Sequence, residues 1–250
     1  MHARFYAPDI TPGADLVDLP DDEARHLTRV RRLGAGDEIA VFDGRGHEYR
    51  ARVERAGRAG VRVRVLEAVT PAPEPSVAFT LVQAVLKGDH MDEVVRDAVM
   101  MGVAAIQPIV TARTQVSLAA LRRGSAVERW RRITLASVKQ CRRAVVPEVH
   151  PPKAFDEFAR ARNDPGTLRL MLVEPGAGPP TTRDAHALPE LPKPAAAQLL
   201  VGPEGGWAPE EIEVTLAHGF VPITLGRRTL RADAVPVAVL AVLCFVWGEL

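Results

Sequence analysis

Apolar and polar positions alternate over short stretches in the first seventy residues. "VRVRVLEAV" (61–69) sets Val61, Val63 and Val65 against Arg62 and Arg64, the period of a strand with one wet face. "DEIAVFDGRGHEYRARV" (37–53) alternates in places and is broken at Asp43-Gly44-Arg45-Gly46, a hairpin signal. Residues 1–70 therefore read as short strands forming a small β-rich domain, such as a barrel. "TPAPEPS" (70–76) then holds three prolines in seven residues, which predicts a linker over 71–76.

From residue 77 to residue 250 the period changes. "VAFTLVQAVL" (77–86), "VAAIQPIV" (103–110), "LRLMLV" (168–173), "AAAQLLV" (195–201) and "FVPITLG" (220–226) are apolar runs of buried-strand length. Between them the spacing is helical. "HMDEVVRDAVMMG" (90–102) repeats Met91, Val94, Val95, Ala98 and Met101, with Gly102 at the C′ position. "AVERWRRITLASVKQCRR" (126–143) puts Val127, Trp130, Ile133, Val138 and Cys141 inward under an arginine-covered face. "PEEIEVTLAHG" (209–219) has Pro at its start, acids in its first turn and Gly at its end. Strands alternating with helices predict an α/β domain, a mostly parallel sheet with helices on both faces.

Composition narrows the class. The chain has 250 residues, 47% hydrophobic, with a net charge of +1, neither disordered nor fibrous. The balance is local. Residues 1–70 hold twelve arginines and twelve acids, whereas Thr111 to Lys153 holds ten basic residues and two acids: either a solvated outer face or, taken with Arg227, Arg228 and Arg231 in a glycine loop, a surface for a polyanion partner. Two cysteines far apart make neither a disulfide framework nor a metal set, which fits a reducing cytoplasm. The N-terminus reads as lacking a signal peptide. The most apolar run, Val235 to Trp247, is short of the ~20 residues of a membrane crossing and reads as a buried C-terminal helix. The seven histidines show no H-x-x-x-H, and no G-x-S-x-G elbow occurs. No metal is expected, and His26, His90 and His218 read as structural or solubilising.

Ligands of such sheets bind beyond the carboxyl ends of the strands. Three loops there carry glycine beside polar residues: "VEPGAG" (173–178), "VGPEGGW" (201–207) and "LGRRTLRADA" (225–234). GPEGG has neither the G-x-G-x-x-G spacing of a dinucleotide fold nor the Lys-Ser/Thr of a phosphate loop. Glycine lets a ligand approach the main chain closely.

"LLVGPEGGWAPEEIEVTLAHGFVPITLGRRTLRADAVPVAVLAVL" closely resembles the C-terminal signature of the bacterial 16S rRNA uridine-N3 methyltransferases, of the SPOUT class of knotted methyltransferases. "HLTRVRRLGAGDEIAVFDGRG" resembles that family's PUA-like RNA-binding barrel. "QAVLKGDHMDEVVRDAVMMGVAAIQPI" and "RWRRITLASVKQCRRAVVPEV" resemble the opening of its catalytic domain and its basic helix. The resemblance implies a trefoil knot near the C-terminus, an exception to the rule against knots. It also implies a homodimer and S-adenosylmethionine held by the three loops. The cofactor-binding residues would be Leu172, Val173 and Glu174; Val201, Gly202, Pro203, Gly205 and Gly206; and Leu225, Gly226, Leu230 and Ala234. The partner would be 16S rRNA of the small ribosomal subunit. The RNA-binding residues would be Arg29, Arg31 and Arg32 in the barrel, Arg129, Arg132, Arg142 and Arg143 on the basic helix, and Arg228. The chain departs from the family in having Ala232-Asp233 for Thr-Glu and Met100-Met101-Gly102 for Glu-Leu-Gly.

Uridine N3 carries a proton and lies on the Watson–Crick edge, so the base must be unpaired to react. Arg231 or Arg228 is a candidate to stabilise charge on O2 or O4, and Glu204 and Asp233 are candidates to take the proton. Glu204 could instead fix its loop through backbone N–H groups, and Asp233 could cap the last helix. Two other readings stay open: a knotted enzyme acting on ribose 2′-oxygen or tRNA, and a non-catalytic RNA-binding or ribosome-assembly protein.

Overall fold

The computed structural model describes residues 2–58, 60–162 and 164–249. The chain divides into two compact units: residues up to Glu74 with Val138–Val146, and Pro75–Ser137 with the residues from Pro147 onward.

The first unit is a five-stranded sheet of β1 (Arg4–Tyr6), β2 (Leu16–Asp18), β3 (Glu38–Phe42), β4 (Glu48–Gly57) and β5 (Gly60–Val69) in the order β1-β3-β4-β5-β2. The β3–β4 hairpin turns through Gly44 and Gly46, both at positive φ. Ile39, Val41, Val53, Val61 and Val63, alternate residues of β3, β4 and β5, close one core with Phe5 and Leu27. The expectation of strands throughout fails at α1 (Asp21–Arg25), which runs into a π-helical turn at His26–Val30. Three acids in its first turn favour a helix start, and Ala24 and Leu27 reach the core at i, i+3 spacing. That signal spans too few residues to stand out from the strands around it.

The unit also receives the end of a later helix. Arg4 donates to the Val138, Lys139 and Arg143 carbonyls at 2.9, 3.2 and 2.8 Å, satisfying acceptors that a helix end leaves open. Glu48 holds the same guanidinium at 2.8 Å.

The second unit carries β6 (Ala78–Ala84), β7 (Ala105–Val110), β8 (Glu148–Val149), β9 (Lys153–Ala154), β10 (Thr167–Leu172), β11 (Arg183–Asp184), β12 (Ala196–Val201) and β13 (Val221–Thr224). The sheet order is β11-β13-β10-β12-β6-β7-β8, with β9 also on β7, and its pairs are parallel. This is the expected α/β class, a parallel sheet with helices, beside a separate N-terminal sheet. The helices are α2 (His90–Met100), α3 (Leu118–Arg123), α4 (Ala126–Cys141), α5 (Phe155–Ala159), α6 (Pro209–Ala217) and α7 (Val235–Val246). α2 stops at Gly102, whose φ is +90° and whose missing β-carbon leaves room for Pro75 of the proline-rich segment.

α4 packs differently from its expected stripe. Trp130, Thr134, Ser137 and Val138 are buried, while Val127, Ile133 and Cys141 are half-buried. The i, i+4, i+7, i+8 stripe runs through two small polar residues, which a pattern based on apolarity passes over. α3 and α5, of 6 and 5 residues, are too short for an apolar period to mark them. None of the helices is long and apolar enough to cross a membrane among the described residues.

Candidate functional site

β13, β10, β12 and β6 are neighbours in the sheet, so their carboxyl ends open on one side. There the second unit has a cavity of ≈ 470 Å³. After β10 come Leu172, Val173, Glu174 and Pro175. After β12 come Val201, Gly202, Pro203, Glu204, Gly206 and Trp207. After β13 the wall runs from Thr224 and Leu225 through Arg228, Leu230, Arg231 and Asp233 to Val235. A fourth contribution follows β6: Leu86, Lys87 and His90.

The loop after β12 is held from several sides. Trp207 donates its Nε1–H to the Leu172 carbonyl at 2.8 Å, tying it to the β10 end. The indole lies against Gly202, where a β-carbon would stand 3.0 Å from the ring. Gly206 has a φ of +68° and faces the Glu174 carboxylate, with 3.2 Å from a β-carbon to Oε1. Arg113, after β7, donates to the Gly205 carbonyl at 2.7 Å. Glu211, buried at the start of α6, accepts from the Ala112 and Ala208 N–H groups at 2.8 and 3.0 Å. Glycine is needed here for close approach and backbone geometry.

Glu204 accepts the Lys87 N–H through Oε1 at 3.0 Å, so its carboxylate fixes the loop through a backbone group. Asp233 does not cap α7, whose N-cap carries no side-chain bond. It accepts instead from Arg231, at 3.2 Å from Nε and 3.0 Å from Nη2, and its Oδ2 lies 3.2 Å from His90 Nδ1. Glu93 Oε2 approaches the same Nδ1 at 3.4 Å.

Arg231, Glu204 and Asp233 thus stand on one cavity with Leu172, Val173, Glu174, Val201, Gly202, Pro203, Gly206, Leu225, Leu230 and Arg228. Gly205, Gly226 and Ala234 lie within the same loops but off the wall. Sequence reasoning missed His90, Lys87, Trp207, Thr224 and Thr229. The Lys87-Gly88-Asp89 break after β6 was the available signal for the fourth loop, but it becomes meaningful only once β6 is known to adjoin β12.

The arginines separate. Arg29, Arg31, Arg32, Arg132, Arg142 and Arg228 are exposed. Arg143 is not the surface cation expected. Its side chain is 6% exposed and its Nε donates to both Glu74 oxygens at 3.1 and 3.0 Å. Arg129 is half-buried, with Nη2 3.1 Å from Asp92. For Arg143 a carboxylate distant in sequence has drawn the guanidinium in, whereas Arg129 stays partly exposed beside Asp92.

The family described as RNA methyltransferase domain matches residues 73–244, and that described as RNA methyltransferase PUA domain matches residues 19–66. Ribosomal RNA small subunit methyltransferase E of Synechocystis sp. is 34% identical over 90% of this chain and 71% of its own length. That of Mycobacterium tuberculosis is 32% identical over 99% and 94%. Among solved structures, a methyltransferase of Legionella pneumophila in complex with bound SAM has a TM-score of 0.87 at 30% identity, covering 98% of both chains. Ribosomal RNA small subunit methyltransferase E of Neisseria gonorrhoeae bound to S-adenosyl methionine has 0.84 at 29%, covering 99% of this chain and 98% of its own. With the cavity at the carboxyl end of a parallel sheet, these matches establish that the chain belongs to the RNA methyltransferase family of the ribosomal RNA small subunit methyltransferases E.

Proposed function

We propose that this RNA methyltransferase uses S-adenosylmethionine to methylate N3 of a uridine in 16S rRNA of the small ribosomal subunit, as a cytoplasmic homodimer. The observation that carries the reading is the cavity where four strand ends meet, with apolar walls, close-approach glycines and a few convergent polar groups.

The residues present fit the cofactor. Leu172, Val201, Leu225 and Leu230 offer apolar surface to an adenine, and Gly202 and Gly206 let it reach the main chain. Glu174 is a carboxylate on the wall without an ion pair among the described residues, suited to hydroxyl or ammonium groups. Gly205, Gly226 and Ala234 would act through the course of their loops. Bound S-adenosylmethionine supplies an electrophilic methyl on a sulfonium. The protein's part is to hold a splayed uracil in line with it and to exclude water. Arg231 and Arg228 are placed to neutralise charge developing on the uracil oxygens. Glu204 positions the wall through Lys87. Asp233, one methylene shorter than the family's Glu, keeps its carboxylate on the cavity by pairing with Arg231.

Arg29, Arg31, Arg32, Arg132 and Arg142 carry exposed charge for the phosphate backbone, and Arg228 brings charge to the cavity edge. We assign residues 1–70 to RNA binding, 71–76 to a linker and 77–250 to catalysis. The dimer reading is supported by α7, apolar throughout, where Phe245 is 78% exposed and half-buried Ala238, Ala241 and Val242 lie on the same side. Nucleoside mass analysis of rRNA tests the proposal. A strain lacking this gene should lose one N3-methyluridine from 16S rRNA and regain it with this chain. Loss of a ribose-methylated nucleoside instead would move the activity to the 2′-oxygen.

A further inference from the structure

We infer that His90 is the group that takes the proton from uridine N3, with Asp233 as its positioning partner. This rests on the substrate reading above and names a catalytic residue that the loop motifs do not reveal.

His90 opens α2 and stands on the cavity wall. Its Nδ1 faces Asp233 Oδ2 at 3.2 Å and Glu93 Oε2 at 3.4 Å. Both are carboxylate oxygens, which accept only, so Nδ1 carries the hydrogen. A neutral imidazole then keeps its lone pair on Nε2, and among the described residues no hydrogen bond engages that nitrogen. Two carboxylates of the same wall, Asp233 and Glu204, are otherwise engaged, and Glu174 is the one assigned above to hydroxyl or ammonium groups of the cofactor. Asp233 accepts from Arg231 through both oxygens, and a proton on either one would weaken that pairing. Glu204 is held by the Lys87 N–H.

The charged groups around the imidazole come from three places. Glu93 lies on its own helix. Asp233, with Arg231 behind it, comes from the loop before α7. Lys87 and Asp89 come from the loop after β6, where the Lys87 carbonyl accepts the His90 N–H at 3.2 Å. Glu174, Glu204 and Arg228 line the cavity farther round. Two carboxylates at Nδ1 favour the imidazolium that proton uptake creates, as the buried acid does in hydrolase triads. In the step, the N3–H bond breaks and its proton passes to Nε2. The electron pair left on N3 forms the bond to the methyl carbon. The carbon–sulfur pair stays on sulfur, so a sulfonium becomes a neutral thioether. His90 then returns its proton to water.

The test is single-turnover methyl transfer to a 16S rRNA fragment across pH, with wild type and His90→Gln. The wild-type rate should rise with pH to a plateau, and H90Q should lose that limb and about 10²–10⁴-fold in rate. S-adenosylmethionine affinity by calorimetry should not change. A fragment carrying 5-fluorouridine, whose N3 is more acidic, should recover much of the H90Q rate. In the protein without RNA, nitrogen NMR should find His90 as the Nδ1–H tautomer, and Asp233→Asn should mix the tautomers. An H90Q rate within about two-fold of wild type at every pH, an equal defect on both fragments, or an Nε2–H tautomer would overturn the inference. A wild type that forms no N3-methyluridine defeats the substrate reading instead.

Discussion

At Gly202 a β-carbon would stand 3.0 Å from the Trp207 ring, and that ring holds the loop after β12 to the end of β10 through the Leu172 carbonyl. Gly202→Ala should therefore displace the indole, cost about 1–3 kcal/mol of stability by overpacking and weaken S-adenosylmethionine binding. Calorimetry and thermal melts read the two effects separately, and an unchanged affinity would show that the loop tolerates the shift. Trp207→Phe keeps most of the apolar volume but removes the donor to Leu172, and should cost about 1–3 kcal/mol for a carbonyl left unpaired. The glycines could be read from sequence as a close-approach loop. The tryptophan that sets how close could not, because its partners come from another strand end.

Helix α4 shows how an element divides its charges. Arg129 faces Asp92, Lys139 pairs with Glu23, and Arg143 just beyond the helix is buried against Glu74, while Arg132 and Arg142 remain exposed. Arg143→Met should leave Glu74 without its partner and cost about 3–5 kcal/mol in urea unfolding. It should leave the salt dependence of RNA binding unchanged. Arg132→Ala should do the reverse: near-native stability, and a log–log salt slope smaller by about one. A shallower slope for the Arg143 variant would return that residue to the RNA surface. The count of ten basic residues from Thr111 to Lys153 correctly marks a charged element. Which charges stay available depends on carboxylates at residues 23, 74 and 92, and nothing in the helix sequence points to them.

For the whole molecule, the end of α7 is fastened by Glu249, which accepts from the Ser76 N–H and hydroxyl at 2.7 and 2.6 Å and pairs with Lys193. The Lys193 ammonium and then the Ser76 hydroxyl lower the Glu249 carboxyl from 4.5 to about 2. A carboxyl held low in the folded state stabilises it fully above the unfolded value and loses that contribution as pH falls. The fastening should thus be intact above about pH 4.5 and fade toward pH 2. Glu249→Gln should flatten that part of the acid-unfolding profile, and an unaltered profile would deny the clasp a role in stability.

The sequence by itself determined the element types where a local signal was strong: the alternation of 61–69, the helical stripe of 90–102, the proline, acids and glycine that bound 209–219, and the glycine breaks at three strand ends. Those are local consequences of side-chain spacing. Only the tertiary structure decided that β12 lies between β10 and β6, because parallel neighbours are joined by crossovers whose landing place the chain order does not state. That placement brings the loop after β6 to the other three and puts His90 beside Asp233, residues 143 positions apart that no spacing rule connects. It also decided which arginines are neutralised inside, since a buried guanidinium must find a carboxylate wherever the fold supplies one.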